Sequence, residues 1–349
     1  LGKNNTIPIG KPEIMESKID AILERYAQQE RNFANIDLAQ MQRPAIVLRE
    51  AIFSHANLQG IAWEKSWLQG IDFQQAQLQG AQLWDCKLAG ANFQKAFCAQ
   101  VNLQNADLQG VNFQSADLMS ADLRGANLQF ADFTGANLID ADFTDAHVTG
   151  AIFEKSVLSS KTQITGDIAT FAPDAILISP SVSLRSADLS YVNFRHADLR
   201  SLDLSHANFT GAIFIGADMR GTDLTRANLT AANCEDADLC HASLRRAYLR
   251  EANFSHADIR GCDATRVHAS YANFTAADMR GIDLTRANLT AANLQQAQLS
   301  AAGLREVIFH QADFTDARLD NTDLTGAILA TANLEGAILP HDLHLHSPD

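Results

Sequence analysis

A bulky apolar residue returns at every fifth position of this chain, a period that neither a helix (3.6) nor a strand (2) can present to a core. The pattern runs from Phe33 to Leu158, with Arg43 as the clear exception, and again from Leu184 to Leu339, with Ala264 and Ala269 as small centres. Two residues before each centre stands a small or apolar residue, most often alanine, as in Ala106/Leu108, Ala116/Leu118 and Ala126/Leu128.

The stronger signal is the period of twenty. Phe33, Phe53, Phe73, Phe93, Phe113, Phe133 and Phe153 form an unbroken column at that spacing, and Leu48, Leu68, Leu88, Leu108, Leu128 and Val148 run in parallel. Phe194, Phe214, Phe254, Phe274 and Phe314 continue the bias in the second run, where ADMRGTDLTRANLTAAN from Ala217 is repeated almost unchanged from Ala277. Columns of this kind arise when four pentapeptides make one coil and each coil stacks on the last, like on like.

Over residues 31–340 the chain resembles the pentapeptide-repeat family, whose repeat is A-(D/N)-L-x-x. The resemblance implies an all-β fold, a right-handed quadrilateral parallel β-helix. In it the centre and the residue two before it point inward and the other three positions face water. Alanine at the inner corner spares the axis from crowding, and Asp or Asn before the centre can hydrogen-bond turn backbone. At about 4.8 Å per coil the two runs predict a rod of roughly 70 Å.

Exposed solenoid ends need covering. Residues 12–29 predict a short N-terminal capping α-helix, opened by Pro12 and Glu13, with Ile14, Ile19, Ile22, Leu23 and Tyr26 on one face. The expected organisation is an N-terminal segment at 1–30, repeat runs at 31–158 and 184–340, an interruption at 159–183 and a tail at 341–349. The interruption keeps Ile164, Ile168, Phe171, Ile176 and Ile178, and is expected to be a degenerate coil or a packed loop.

Catalysis is not expected. The sequence lacks a P-loop, G-x-S-x-G, H-E-x-x-H and a dinucleotide glycine fingerprint. Small inward side chains leave no substrate-sized cleft. No cofactor or metal is implied. The five cysteines have no C-x-x-C pair; Cys86, Cys98, Cys234 and Cys262 fall on inward positions and Cys240 on an outward one. His341, His344 and His346 belong to the tail. No apolar run approaches the length of a membrane span. The amino terminus has no apolar signal region, and the chain begins at Leu1 rather than Met, as a trimmed or mature product would. The cytoplasm is the expected compartment, and the expected state a monomer or weak end-to-end dimer.

The net charge of −14 raises the DNA-mimic role that the resemblance implies for some members, which bind DNA gyrase. Of 41 acidic residues, however, 19 are aspartates at the turn position and follow from the repeat itself. The second run has arginine columns, Arg226, Arg246, Arg266, Arg286 and Arg200, Arg220, Arg260, Arg280, beside aspartate columns that include Asp198, Asp218, Asp238, Asp258 and Asp278. Both stripes are expected to be compensated, and nucleic acid is therefore not an expected partner. Trp67 and Trp84 fall on outward positions of adjacent coils, with Lys87 over Trp67, and outward aromatics are scarce in the sequence. These three residues form the candidate partner surface, and the Arg226–Arg286 stripe is a secondary one. The expected function is a non-catalytic scaffold binding a protein partner. A DNA-mimic modulator of gyrase and an inert rod are the alternatives.

Overall fold

The computed structural model describes residues 13–179 and 182–341, so Pro12, His344 and His346 lie outside the described residues, and the side chain of Ile14 is not described. The chain forms two compact units, Leu1–Ile176 and Leu177–Asp349.

In each unit the residue before a repeat centre pairs in parallel with its equivalent twenty residues on. Asn32, Ile52, Asp72 and Asn92 form such a series in the first unit, and Asp188, Asn208, Asn228 and Tyr248 in the second. The Phe53 amide donates to the Asp72 carbonyl (2.7 Å), and the Asp72 amide donates back to Ala51 (2.9 Å). Four pentapeptides therefore complete one coil of a parallel β-helix. Pairing is by single residues rather than long strands, because a corner follows each centre. The Ala56 amide closes that corner onto the Phe53 carbonyl (3.1 Å). The residue two after each centre is left-handed, with φ between 54° and 74° from Asn35 to Lys155 and from Ser186 to Asn321.

This alternation buries the centre and the residue two before it. Phe73, Phe93, Phe113 and Phe133 stack through the first unit with successive centroids 5.1, 4.9 and 5.2 Å apart. Such ring pairs add about 0.5–1.5 kcal/mol each beyond the area they bury. Two inward threonines are satisfied locally: Thr222 Oγ1 donates to the Met219 carbonyl (2.8 Å) and Thr322 Oγ1 to Leu319 (2.7 Å). At the turn position, Oδ1 of Asp or Asn accepts the amide two residues on, as Asp72 does from Gln74 (3.0 Å). Asparagines there also donate to the coil before, as Asn92 Nδ2 does to Asp72 (2.9 Å).

Arg43, the break in the first column, is exposed and reaches Asp20 at 3.2 Å. Asp20 lies on α1 (Glu13–Ala27), which buries Ile19 and Ile22 and leaves Leu23 and Tyr26 partly exposed. Tyr26 Oη donates to the Arg49 carbonyl (3.2 Å). The helix ends in a Schellman arrangement: Gln29 is left-handed (φ 68°) and the Glu30 amide donates to Arg25 (3.1 Å).

Beyond Ser156 the repeat loosens. Asp142–Phe143 (β1) pairs in parallel with β3, Gln163–Ile164, at an offset of 21 residues instead of 20. Between them lies β2 (Val157–Ser159), and the Ser156 carbonyl just before it accepts the amide of Ile176 (2.7 Å), the first residue of β4 (Ile176–Ile178). Phe171, at the end of the single turn α2 (Ile168–Phe171), packs on Phe143 and Phe153 at 5.3 and 5.2 Å. In the second unit Ala264 and Ala269 are buried in regular coils. The positions two before them carry Cys262 and Val267, bulkier than the usual alanine, which offsets only part of the volume that two leucine centres would fill.

Candidate functional site

Trp67 pairs with Val47 on one side and Lys87 on the other, which places Lys87 on the next coil along the same column. Its indole is 46% exposed and carries the Arg49 guanidinium 5.0 Å from the ring centroid. Trp84 is half-buried, with Lys65 Nζ 4.8 Å from its centroid. Neither indole belongs to the core. The scarcity argument for this corner needs correction, because Phe130 (62%), Tyr191 (71%) and Tyr271 (56%) are more exposed than Trp67. Those three occupy left-handed corner residues, where the side chain stands off the coil. Glycine in the next coil makes room for two of them: a Cβ at Gly150 would meet Phe130 at 2.7 Å, and one at Gly211 would meet Tyr191 at 2.6 Å.

The two arginine columns differ. Arg220 grips Asp218 through Nε (2.8 Å) and Nη2 (2.6 Å) and reaches Asp238 on the next coil at 3.5 Å. Arg200, Arg260 and Arg280 repeat the fork with Asp198, Asp258 and Asp278. Hydrogen bonds from Arg260 hold the Asp258 carboxyl down at about 2. That stripe is compensated, as expected. The other is not. Among the described residues only Arg286 of the second column has an ion pair, with Glu306 at 2.8 Å; Arg226, Arg246 and Arg266 have none. The aspartates near that column are engaged elsewhere: Asp223 Oδ1 accepts the Thr225 amide (2.9 Å), and Asp263 accepts the Thr265 amide (3.1 Å) and pairs with Arg245 at 3.5 Å.

These three unpaired guanidiniums border a groove of about 460 Å³ together with His206, Tyr248 and His268. Tyr248 and His268 occupy the same position on successive coils and stack at 5.1 Å with 10° between their planes. The sequence reading missed this groove, although its signal was present: 248 and 268 are one coil apart, two residues after Arg246 and Arg266.

Cys240 stands in the column of Arg200, Arg220, Arg260 and Arg280, where Sγ lies within 4.8 Å of carboxylate oxygens of Asp238 and Asp258. Arg260 Nη2 approaches the same sulfur at 3.6 Å. Partial burial pushes this thiol up to about 12, with the two carboxylates adding to the shift, so it stays neutral and is a poor nucleophile. Cys86 and Cys262 are buried and hydrogen-bonded to the carbonyls of Trp63 (3.1 Å) and Leu239 (2.9 Å); Cys98 and Cys234 are buried as core residues. His341 is exposed. No helix among the described residues is long and apolar enough to cross a membrane.

The sequence profile described as pentapeptide repeats, with eight copies, matches residues 64–94, 86–125, 121–159, 187–226, 227–263, 270–305 and 302–340. The chain belongs to the pentapeptide-repeat family. In this pentapeptide-repeat protein the regular coils begin before the matched range, since the twenty-residue pairing is already present at Asn32. Among solved structures it is similar to HetL, a pentapeptide repeat protein involved in heterocyst differentiation regulation from the cyanobacterium Nostoc sp. strain PCC 7120. The identity is 26%, over 92% of this chain and 96% of that one, with a TM-score of 0.35. It is also similar to QnrB1, a plasmid-mediated fluoroquinolone resistance protein, at 17% identity over 69% of this chain and 87% of that one, TM-score 0.33. A pentapeptide repeat protein of the Arabidopsis thaliana thylakoid lumen matches at 28% identity over 34% of this chain and 71% of that one, TM-score 0.16. No curated protein matches.

Proposed function

We propose that this protein is a non-catalytic, right-handed β-helical scaffold that presents its faces to a protein partner. One observation carries the reading: both inward positions of the coils are filled by packed side chains, which leaves chemistry and recognition to the outer surface. The two repeat runs, 31–158 and 184–340, serve as the presenting faces. Residues 159–183 act as a degenerate coil, and α1 caps the first run through Ile19 and Ile22. The primary docking surface is Trp67 and Trp84 with Lys87. Trp67 offers exposed ring area beside a cation, the kind of anchor that dominates binding energy. Five free cysteines fit a reducing compartment such as the cytoplasm.

The test is affinity capture from the native cell with the full chain as bait, comparing wild type with Trp67→Ala/Trp84→Ala. A partner retained by the wild type and lost by the double variant is the expected result. An unchanged set of captured proteins places the docking surface elsewhere.

The net charge of −14 favours a second reading, a DNA-mimic modulator of gyrase. Against it, many of the acids are engaged in turn hydrogen bonds or forked by arginine, as Asp218 and Asp258 are. A gyrase supercoiling assay separates the two: inhibition or protection supports mimicry, and no effect supports the scaffold.

A further inference from the structure

The groove along Arg226, Arg246 and Arg266 has features a solvated surface does not require. Three arginines occupy one position on three successive coils, the coils about 4.8 Å apart, and none has an ion pair among the described residues, Arg266 acting on Glu306 only at longer range. Like charges held at that spacing repel, and a compensated alternative exists a few residues away in the Arg200–Asp198 ladder. The column is closed at one end by the Arg286–Glu306 pair (2.8 Å) and continues at the other into His206. The groove therefore has a definite length, about two coil steps of open positive charge.

Beside this charge lies a flat apolar feature. Tyr248 is 51% exposed and stacks on His268. The residues on either side of this pair in the column are Asn228 and Asn288, which are shorter and carry no ring. Asn228 Nδ2 is drawn back onto Thr210 Oγ1 (2.9 Å) and Asn208 Oδ1 (3.3 Å). A planar group laid against the outer face of Tyr248 extends the stack by one rung, within the same groove as Arg226 and Arg246.

Guanidinium is the side chain best matched to phosphate, because its fork binds two oxygens at once. Three in a row suit an anhydride chain better than a single phosphate, and the aromatic pair suits a base. The groove's 460 Å³ lies in the range of small-molecule sites. We propose that the groove formed by His206, Arg226, Arg246, Arg266, Tyr248 and His268 binds a nucleoside diphosphate, its phosphates on the arginine column and its base stacked on Tyr248.

The test is isothermal titration calorimetry of the full chain with ADP, pyrophosphate, adenosine and a short single-stranded oligothymidylate, at low and moderate salt. ADP is expected to bind more tightly than pyrophosphate, and adenosine weakly or not at all. Arg246→Ala is expected to weaken ADP at least tenfold, and Arg220→Ala, in the compensated column, less than twofold. Tyr248→Leu is expected to weaken ADP while leaving pyrophosphate unchanged. Equal losses from Arg246→Ala and Arg220→Ala overturn the proposal, since the binding is then diffuse electrostatics. Pyrophosphate equal to ADP removes the base from it, and an oligonucleotide that binds more tightly than ADP replaces the small ligand with a polymer.

Discussion

Trp63 is the largest side chain of the core and has no exposed surface. It meets Phe53 edge-on at 5.5 Å, but its Nε1 donor finds no partner among the described residues. An unmade buried hydrogen bond costs about 1–3 kcal/mol, comparable to the area lost on shrinking the ring. Trp63→Phe is therefore expected to change stability by no more than about 1 kcal/mol, whereas Phe113→Ala, which leaves a hole inside the stacked column, is expected to cost about 3–5 kcal/mol. Urea unfolding of the two variants measures the contrast; equal losses would mean the Phe column is not the packed axis. The arginines give a second contrast, of sign. Arg220→Gln breaks a fork to Asp218 and is expected to lower Tm, while Arg246→Gln removes one of three mutually repelling charges and is expected to raise it. Both shifts should shrink in high salt, because the charges are exposed and screened. A fall in Tm for both variants would show that Arg246 has a partner of its own.

At the scale of the coil, the sequence revealed whatever repeats by identity. The phenylalanine column, the inward alanines and the turn aspartates were all legible, because stacking like on like writes the same residue every twenty positions. The left-handed corner was not, since Asn, Lys, Arg, Ser and Gly all occupy it and share no chemistry that a pattern search would register. The pairing of charges was misread for a related reason. Spacing along the chain says which residues share a column, but not that Asp263 pairs with Arg245 rather than with a corner arginine. The interruption illustrates the opposite limit. Its five apolar residues were visible, yet the packing of Phe171 on Phe143 and Phe153 depends on a one-residue change of offset that no periodic pattern contains. Phe171→Ala is expected to cost about 2–4 kcal/mol, and its loss should show as faster amide exchange at Phe143 and Phe153. Conversely, Ala264→Leu lies where Cys262 and Val267 frame two small centres, and is expected to be tolerated with a far smaller change than Phe113→Ala.

Across the whole molecule, nearly half of the acidic residues, 19 of 41, are turn aspartates, and those that arginine holds set the response to pH. Hydrogen bonds from Arg124, Arg220 and Arg260 hold Asp122, Asp218 and Asp258 below the ordinary carboxylate value of 3.8, the last at about 2. A depressed carboxylate contributes its stability above the ordinary value and loses it as pH falls through the depressed one. Tm is therefore expected to stay nearly level from neutral pH to about pH 5 and to fall between about pH 4 and pH 2. The neutral thiols make no contribution over that range, because burial pushes Cys86, Cys262 and Cys240 up to about 12. A melting curve that declines instead near pH 6 would assign the loss to histidines. Mutating all three arginines to Gln should flatten the acid limb without moving its upper edge.

The left-handed corner also limits which residues the repeat can accept. Valine and isoleucine, common elsewhere in the chain, never occupy a corner, and Thr331 is the one β-branched residue that does. Thr331 has left the left-handed region, and its hydroxyl, rather than a carbonyl, accepts the Gln311 amide (2.9 Å). Branching at Cβ therefore works as punctuation: its absence at every fifth residue gives the phase of the repeat even where the hydrophobic centres are degenerate. A saturation library at Arg246 or Lys95 should be depleted of Val, Ile and Thr among folded clones while admitting either sign of charge. This tolerance leaves the corners free to acquire new surface chemistry without disturbing the stack beneath.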